Sequence, residues 1–107
     1  MRQWIMHGVS GQPDIRTRDL EFSASGGYSG AELLTLFRST VAEAIAVIAC
    51  TTTAHLVDHT TPQGRDVTVL DAIYQVVGHV QQHTGQIILL TKQMTAQDLD
   101  LTIPRPR

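Results

Sequence analysis

Cysteine and lysine are scarce in this sequence. Cys50 is the one cysteine in 107 residues, and Lys92 is the one lysine. A single cysteine excludes an intramolecular disulfide and a zinc site made of several thiolates. Non-specific nucleic-acid binding needs clustered lysines and arginines that neutralise phosphates. The scattered cations and the formal net charge of −2 therefore argue against a nucleic-acid partner.

Long apolar runs are scarce as well. No window approaches the roughly 20 apolar residues that a membrane-spanning helix requires. The start of the chain, MRQWIMHGVSGQPD, lacks the basic-then-apolar order of a secretory signal. We therefore expect no membrane partner and a cytoplasmic location. Cys50 closes the run AIAVIAC, so its thiol is expected to be buried and inert.

Two segments have the period of an amphipathic helix and predict an all-α fold. The first helix is predicted over residues 30–52, where Ser29 and Glu32 have the spacing of side chains that satisfy free backbone N–H groups at a helix start. The second is predicted over residues 67–95, where Thr68 and Asp71 repeat the pattern. The apolar stripes, at three- and four-residue steps, are Leu33, Leu36 or Phe37, Val41, Ala44 or Ile45 and Ile48 in the first helix, and Val69, Ile73, Val76 or Val77, Val80, Ile87, Leu90 and Met94 in the second.

The rest of the chain has no sustained period. Residues 1–29 are expected to be mostly irregular with a short helix, and the charged stretch RTRDLE to be a solvated turn. The segment around Pro62 predicts a loop, and residues 96–107 predict an extended tail. The apolar residues expected to pin the N-terminal segment onto the helices are Trp4, Ile5, Ile15 and Phe22.

Two antiparallel helices cannot cover both apolar stripes by themselves, since stable bundles need three or four helices. Two copies of the chain about a two-fold axis would form a four-helix bundle and bury the remainder. We therefore predict one helical domain over residues 1–107, completed by homodimerisation.

The most distinctive motif is GHVQQHTGQIILLTK, residues 78–92. On a helix, His79 and His83 lie one turn apart, about 6 Å at Cβ, a spacing at which two imidazoles can share a metal ion. The alternative is that both rings are packing residues at the margin of a bundle. Gly85 in mid-helix indicates a close approach by another helix or a ligand, and Gln86 could orient a ring nitrogen.

A metal site needs at least a third ligand. The sequence offers several candidates, and their spacing singles out none of them: His7, Glu43, Asp58, His59 and Asp71. A second His-x-x-x-His pair, His55 and His59, lies in the predicted loop, where an exposed histidine is the commoner case.

Several segments together resemble one known family. VLDAIYQVVGHVQQHTGQIILLTKQM resembles the last helix of the DinB-like (DinB/YfiT-like) superfamily of metal-binding four-helix bundles. It is most similar to an uncharacterised subgroup with a His-x-x-x-His-x-Gly-Gln-Ile motif. RTRDLEF is similar to a loop of those proteins, SGAELLTLFRSTVAEAIAVIA to their third helix, and RQWI to the end of their second. The resemblance covers nearly the whole chain.

The resemblance implies a divalent metal, commonly zinc or nickel, held by three histidines. Two of them match His79 and His83, with Gly85 and Gln86 beside them. The third precedes the RQWI-like segment and has no counterpart here, so the sequence is expected to represent a truncated half-bundle. With two ligands the ion would be held weakly unless a partner chain, water or another residue completes its shell.

We therefore expect a non-catalytic dimeric binding or interaction module with a degenerate metal site, no catalytic residue, and a small molecule as a candidate ligand. The alternative is a metal-dependent thiol transferase or hydrolase-like enzyme, the activity that the resemblance implies, in which His79 and His83 hold zinc or nickel. A DNA-associated factor is a third hypothesis, disfavoured by the charge.

Overall fold

Helices make up most of the chain in its computed structural model, which describes residues 1–97, 99 and 101. A short helix, α1 (Arg18–Ser23), precedes two long ones, α2 (Gly30–Cys50) and α3 (Val69–Thr95). The mostly helical class predicted from the sequence is confirmed. The completed bundle and the homodimer stay predictions.

The chain divides into two compact units. The first, Met1–Val76, contains α1, α2 and the first turns of α3. The second begins at Val77 and contains the remainder of α3. The extended tail predicted for residues 96–107 falls mostly outside the described residues.

Both predicted capping patterns are present. Ser29 Oγ accepts a hydrogen bond from the N–H of Glu32 at 3.3 Å, and Glu32 Oε2 accepts one from the N–H of Ser29 at 2.7 Å. Thr68 Oγ1 accepts from the N–H of Asp71 at 3.1 Å, and Asp71 Oδ2 accepts from the N–H of Thr68 at 3.3 Å. These reciprocal bonds satisfy donors that a helix start leaves free, so they set where α2 and α3 begin.

The charged stretch near the N-terminus is more ordered than the sequence predicts. RTRDLE contributes to α1 and is not a solvated turn. Arg16 Nε donates to Glu21 Oε2 at 2.5 Å, and Asp19 and Glu21 lie in the first turn of α1. Negative charge is favourable there because the backbone N–H groups at a helix start carry partial positive charge.

Two of the four apolar residues expected to pin the N-terminal segment contact the core. Ile5 is fully buried in a single π-helical turn, Gln3–His7, and Trp4 packs against the core. The prediction is wrong for Ile15 and Phe22, whose residues are 83% and 74% exposed. Contact with the core comes from the first nine residues, where Met6 and Val9 are also buried.

The core lies where the N-terminal segment, the C-terminal half of α2 and the first turn of α3 meet. Burying a side chain as large as Ile5 or Val69 stabilises the fold by about 1.5–3 kcal/mol. Trp4, Val47 and Val76 are among the partly buried residues packed around it. Its fully or almost fully buried residues are Ile5, Met6, Val9, Ala44, Val69 and Ala72.

Gly8 lies at a close backbone approach at the end of the N-terminal turn. A Cβ at this position would stand 2.5 Å from the carbonyl oxygen of Trp4 and 3.2 Å from Pro62 Cβ. Thr60 Oγ1 donates to the Gly8 carbonyl at 2.6 Å. The absence of a side chain therefore lets the N-terminal turn contact the loop that follows α2.

The loop between α2 and α3 contains a minimal hairpin that the sequence does not predict. Strand β1 (His59–Thr60) pairs antiparallel with β2 (Val67–Thr68), with His59 opposite Thr68. Single 3₁₀ turns occur at His55–Val57 and Pro62–Gly64. Strands of two residues are too short for their alternation to show in a sequence.

Most of the apolar surface of α2 is exposed. Its burial is confined to the C-terminal half, around Ala44 and the partly buried Val47. The large apolar residues that remain exposed are Leu33 at 51%, Leu34 at 47%, Leu36 at 47%, Phe37 at 54%, Ile45 at 60% and Ile48 at 37%.

Among the described residues, α2 is also long and apolar enough to cross a membrane by length and composition. The sequence prediction that no window reaches this size is wrong. The helix carries three charged residues, Glu32, Arg38 and Glu43, and its 18-residue window 33–50 holds two of them. A core helix of a soluble protein passes the same test, so no location follows from it.

Cys50 is exposed, and the prediction of a buried thiol is wrong. The run AIAVIAC is apolar on every side of the helix, so composition does not indicate which side is covered. At 100° per residue, Cys50 lies about 120° around α2 from the buried Ala44. The core covers the Ala44 side only.

Candidate metal centre

His79 and His83 lie on consecutive turns of the exposed second half of α3. Their Nε2 atoms are 3.1 Å apart. The four-residue step places both rings over the same turn, since residues four apart are neighbours on a helix surface. Two imidazole nitrogens therefore converge on one point beside the helix.

Gln86 determines which nitrogen of His83 carries a proton. Gln86 Oε1 lies 2.8 Å from His83 Nδ1, and an amide oxygen only accepts, so Nδ1–H donates to it. The neutral ring then has a lone pair on Nε2 and accepts the Nε2–H of His79. A metal-binding histidine is commonly oriented by such a bond on its other nitrogen.

The two histidines suit a zinc-type ion in donor type and spacing. Zinc binds imidazole nitrogens at about 2.0–2.1 Å, which in a tetrahedral shell places two nitrogens about 3.3 Å apart. The observed 3.1 Å is close to that value. To bind, His79 would have to transfer its proton from Nε2 to Nδ1, which costs little in an exposed imidazole.

The number of ligands does not suit a complete site. Within the described part of the chain, no group of three histidine, cysteine, aspartate or glutamate residues could hold an ion. The five residues considered as a third ligand have other partners: His7 with the Gln12 carbonyl, Glu43 with Arg2, Asp58 with His55, His59 with Asp66, and Asp71 with Thr68. The described part of the chain thus brings together two donors of the four that zinc takes.

Space is open beside Gly85 within the described part of the chain. A Cβ at this position would meet no atom within 4 Å apart from its chain neighbours and the backbone of its own helix. The close approach by another helix or a ligand that this glycine indicates stays a prediction.

The loop histidines, His55 and His59, each bind a separate carboxylate. His55 Nδ1 donates to Asp58 Oδ2 at 2.8 Å, and His59 Nδ1 donates to Asp66 Oδ1 at 2.8 Å. The hydrogen bond to the carboxylate raises the pKa of each histidine above its ordinary value. The spacing of His55 and Asp58 is visible in the sequence, whereas the contact of His59 with Asp66 depends on the hairpin.

His55 has a second contact that sequence reasoning missed. Its Nε2 lies 3.0 Å from the carbonyl oxygen of Val9, which is 46 positions earlier in the chain. No local spacing predicts this bond, because it depends on the N-terminal segment folding back onto the loop.

An open groove of about 380 Å³ lies between the N-terminal segment and the end of α2. Its walls are mostly apolar, and the exposed Cys50 thiol is part of them. The residues that line the groove are Val9, Ser10, Ala46, Val47, Cys50 and Thr51. The sequence alone does not predict this groove.

Comparison with family models places the chain in a protein family. The model of the family described as "Protein of unknown function (DUF1572)" matches residues 3–107, so the chain belongs to that family. Comparisons with curated proteins and with solved structures gave no match. The description of this family assigns no activity to its members.

Proposed function

We propose that this protein is a non-catalytic binding module of the DinB-like type that acts as a homodimer and carries an incomplete metal site. The link to the DinB-like superfamily is supported by the His-x-x-x-His-x-Gly-Gln-Ile motif, in which His83 is hydrogen-bonded to both His79 and Gln86. The preference for binding over catalysis is supported by the two-donor ligand set.

The dimer is supported by one side of α2, which is buried near the C-terminal end of the helix and exposed towards its N-terminal end. Leu33 and Phe37 precede the buried Ala44 by eleven and seven residues, about three and two whole turns, so they lie on the same side of the helix. Yet Leu33 is 51% exposed and Phe37 is 54% exposed. Monomeric proteins rarely leave so continuous an apolar surface open to water.

A second copy of the chain fits this surface better than an unrelated partner. An exposed stripe with helical period pairs readily with an identical stripe, because a two-fold interface brings the same residues together from both sides. Only three residues of α2 are charged, namely Glu32, Arg38 and Glu43. Repulsion between like charges therefore does not prevent the α2 helices of two copies from approaching each other. Leu33 and Phe37 would then become core residues of the dimer.

The dimer is tested by light scattering on the untagged full chain at micromolar concentration. The expected mass is twice the 11.7 kDa of the chain. Phe37→Asp should raise the dissociation constant by roughly 10- to 100-fold, as the loss of a central interface aromatic does. Tyr74→Asp is the matched control, since Tyr74 is 72% exposed and two residues from the buried Ala72 on α3. A monomer mass for the wild type would contradict the proposal.

A metal-dependent enzyme is the second candidate, favoured by the 3.1 Å separation of the two Nε2 atoms. When bound, a divalent ion would supply Lewis acidity towards a thiol or water. His79 and His83 would hold it, and Gln86 would keep His83 in the tautomer that binds. Metal analysis of protein purified without a His-tag column should then give about one ion per chain or per dimer, lost in His79→Ala. A stoichiometry near zero in both proteins would remove this candidate.

A further inference from the structure

His55 bridges two segments through both of its ring nitrogens. Nδ1 lies 2.8 Å from Asp58 Oδ2, and Nε2 lies 3.0 Å from the Val9 carbonyl oxygen. An ionised carboxylate and a carbonyl both accept hydrogen bonds and cannot donate them. Only the protonated imidazolium has N–H groups at both positions, so the bridge requires a charged His55.

We propose that His55 is a proton-operated latch that fixes the Val9–Ser10 wall of the groove beside Cys50. In the charged state, Nε2–H of His55 donates a hydrogen bond to the Val9 carbonyl, and Nδ1–H donates one to Asp58. On losing a proton the ring keeps one N–H, the bond to Val9 is lost, and two acceptors face each other at that contact. The wall then keeps its apolar packing and the hydrogen bonds from the Val9 and Ser10 N–H groups to the Ile5 carbonyl, but it loses the bond to His55. The latch involves neither the exposed stripe of α2 nor the His79–His83 pair.

Loss of the latch affects only the end of the N-terminal segment. A second hydrogen bond to this segment, at Gly8, involves no titratable group and so persists. Thr60 Oγ1 donates to the Gly8 carbonyl at 2.6 Å. Val9 itself stays in the core, where it is 5% exposed. Loss of the latch therefore loosens the backbone beyond Gly8 and leaves the N-terminal turn docked.

The charge acting on His55 comes from its own loop. Asp58 raises its pKa first by the hydrogen bond and also by its charge, and the Val9 carbonyl raises it further. The N-terminal segment presents this uncharged carbonyl to the ring. From the end of α2, Thr52 Oγ1 accepts the backbone N–H of His55 and carries no charge. The titratable group of the adjoining groove wall is the Cys50 thiol.

The direction of the pH effect follows from these contacts. A histidine whose pKa is raised on folding stabilises the folded state fully below its unfolded value, near 6.5. That stabilisation is lost as the pH rises through the higher folded value. The latch is thus closed in mildly acidic solution and opens on the alkaline side of the ordinary histidine range.

His59 supplies a matched control within the same loop. Its Nδ1 also donates to a carboxylate, Asp66, and its pKa is also raised. That contact needs one N–H, which the neutral ring retains. Titration of His59 therefore weakens an ion pair without removing a hydrogen bond.

The test is an NMR titration of the full chain between pH 5 and pH 9, following the His55 ring and the exchange of the Ser10, Gly11 and Gln12 amides. These amides donate to carbonyls of the N-terminal turn. After correction for intrinsic exchange, their protection should fall about fivefold at the pH where His55 titrates, the factor expected for one ordinary hydrogen bond. The step should be absent in His55→Gln and retained in His59→Gln.

Asp58→Asn keeps the test decisive if His55→Gln fails to fold. It retains the imidazole and removes the carboxylate, so the midpoint of the protection step and of His55 itself should move to lower pH together. The proposal is overturned if protection shows no step while His55 titrates, if the step persists in His55→Gln, or if its midpoint is unchanged in Asp58→Asn.

Discussion

His79 and His83 meet in a T-shaped arrangement, with ring centroids 4.4 Å apart and ring planes at 89°. This orientation depends on a residue outside the pair, since Gln86 binds the far nitrogen of His83. The metal-binding potential of the motif therefore resides in three residues on two turns of α3.

Removing the Gln86 side chain should weaken metal binding without removing a ligand. Gln86→Ala is expected to lower the affinity for zinc by roughly 10- to 100-fold, the range for loss of an orienting partner. Isothermal titration with zinc measures it. Gln81→Ala is the matched control, because Gln81 lies on the side of α3 opposite His79. Equal affinities for the two variants would show that Gln86 does not orient the ring.

Ile5 should be the most sensitive position of the N-terminal segment. It is fully buried, so Ile5→Ala is expected to lower the free energy of unfolding by about 2–5 kcal/mol through lost burial and a residual cavity. Ile15→Ala, at a residue that is 83% exposed, should change it by less than about 0.5 kcal/mol. Urea unfolding followed by circular dichroism compares them. A similar loss for both would mean that the segment is not docked as described.

The cap of α2 should make stability depend on pH in the acid range. The N–H and the hydroxyl of Ser29 donate to Glu32 and lower the pKa of its carboxyl below the ordinary value of 4.5. The stabilisation is therefore present above pH 4.5 and is lost as the pH falls through the lower folded value. In Glu32→Gln, the loss of stability between pH 6 and pH 3 should be smaller than in the wild type. An equal loss would assign the acid sensitivity to other carboxyls.

Cys50 should react in the native protein. Because its residue is exposed at the end of α2, Ellman's reagent is expected to titrate one thiol per chain without denaturant. Cys50→Ser, which has no thiol, is the negative control and should give no reaction. If the thiol appears only after unfolding, the groove is closed in solution, for instance by a second copy of the chain.

Local features of the fold were predictable from the sequence, because their causes are local. Ser29 with Glu32, and Thr68 with Asp71, mark the starts of both long helices by side-chain chemistry within one turn. The apolar period similarly indicated the helices themselves. For the candidate site, the same argument placed His79 over His83.

Burial was less predictable, because it depends on which surfaces find a partner. The apolar period of α2 includes Phe37 and Ala44 equally, yet one is 54% exposed and the other 5%. The contact of His55 with Val9 likewise depends on a chain reversal over 46 positions. Such long-range relations have no signature in the spacing of residues.

Gly8 has a consequence for sequence variation. Even a methyl group there would collide with the backbone of Trp4, which cannot move away as a flexible side chain could. Across other members of the family, this position should therefore remain glycine wherever the turn Gln3–His7 keeps its path. Where glycine is replaced, a different path of that turn should accompany the change. Because the added methyl group would also lie 3.2 Å from Pro62 Cβ, the loop after α2 should then vary together with the turn.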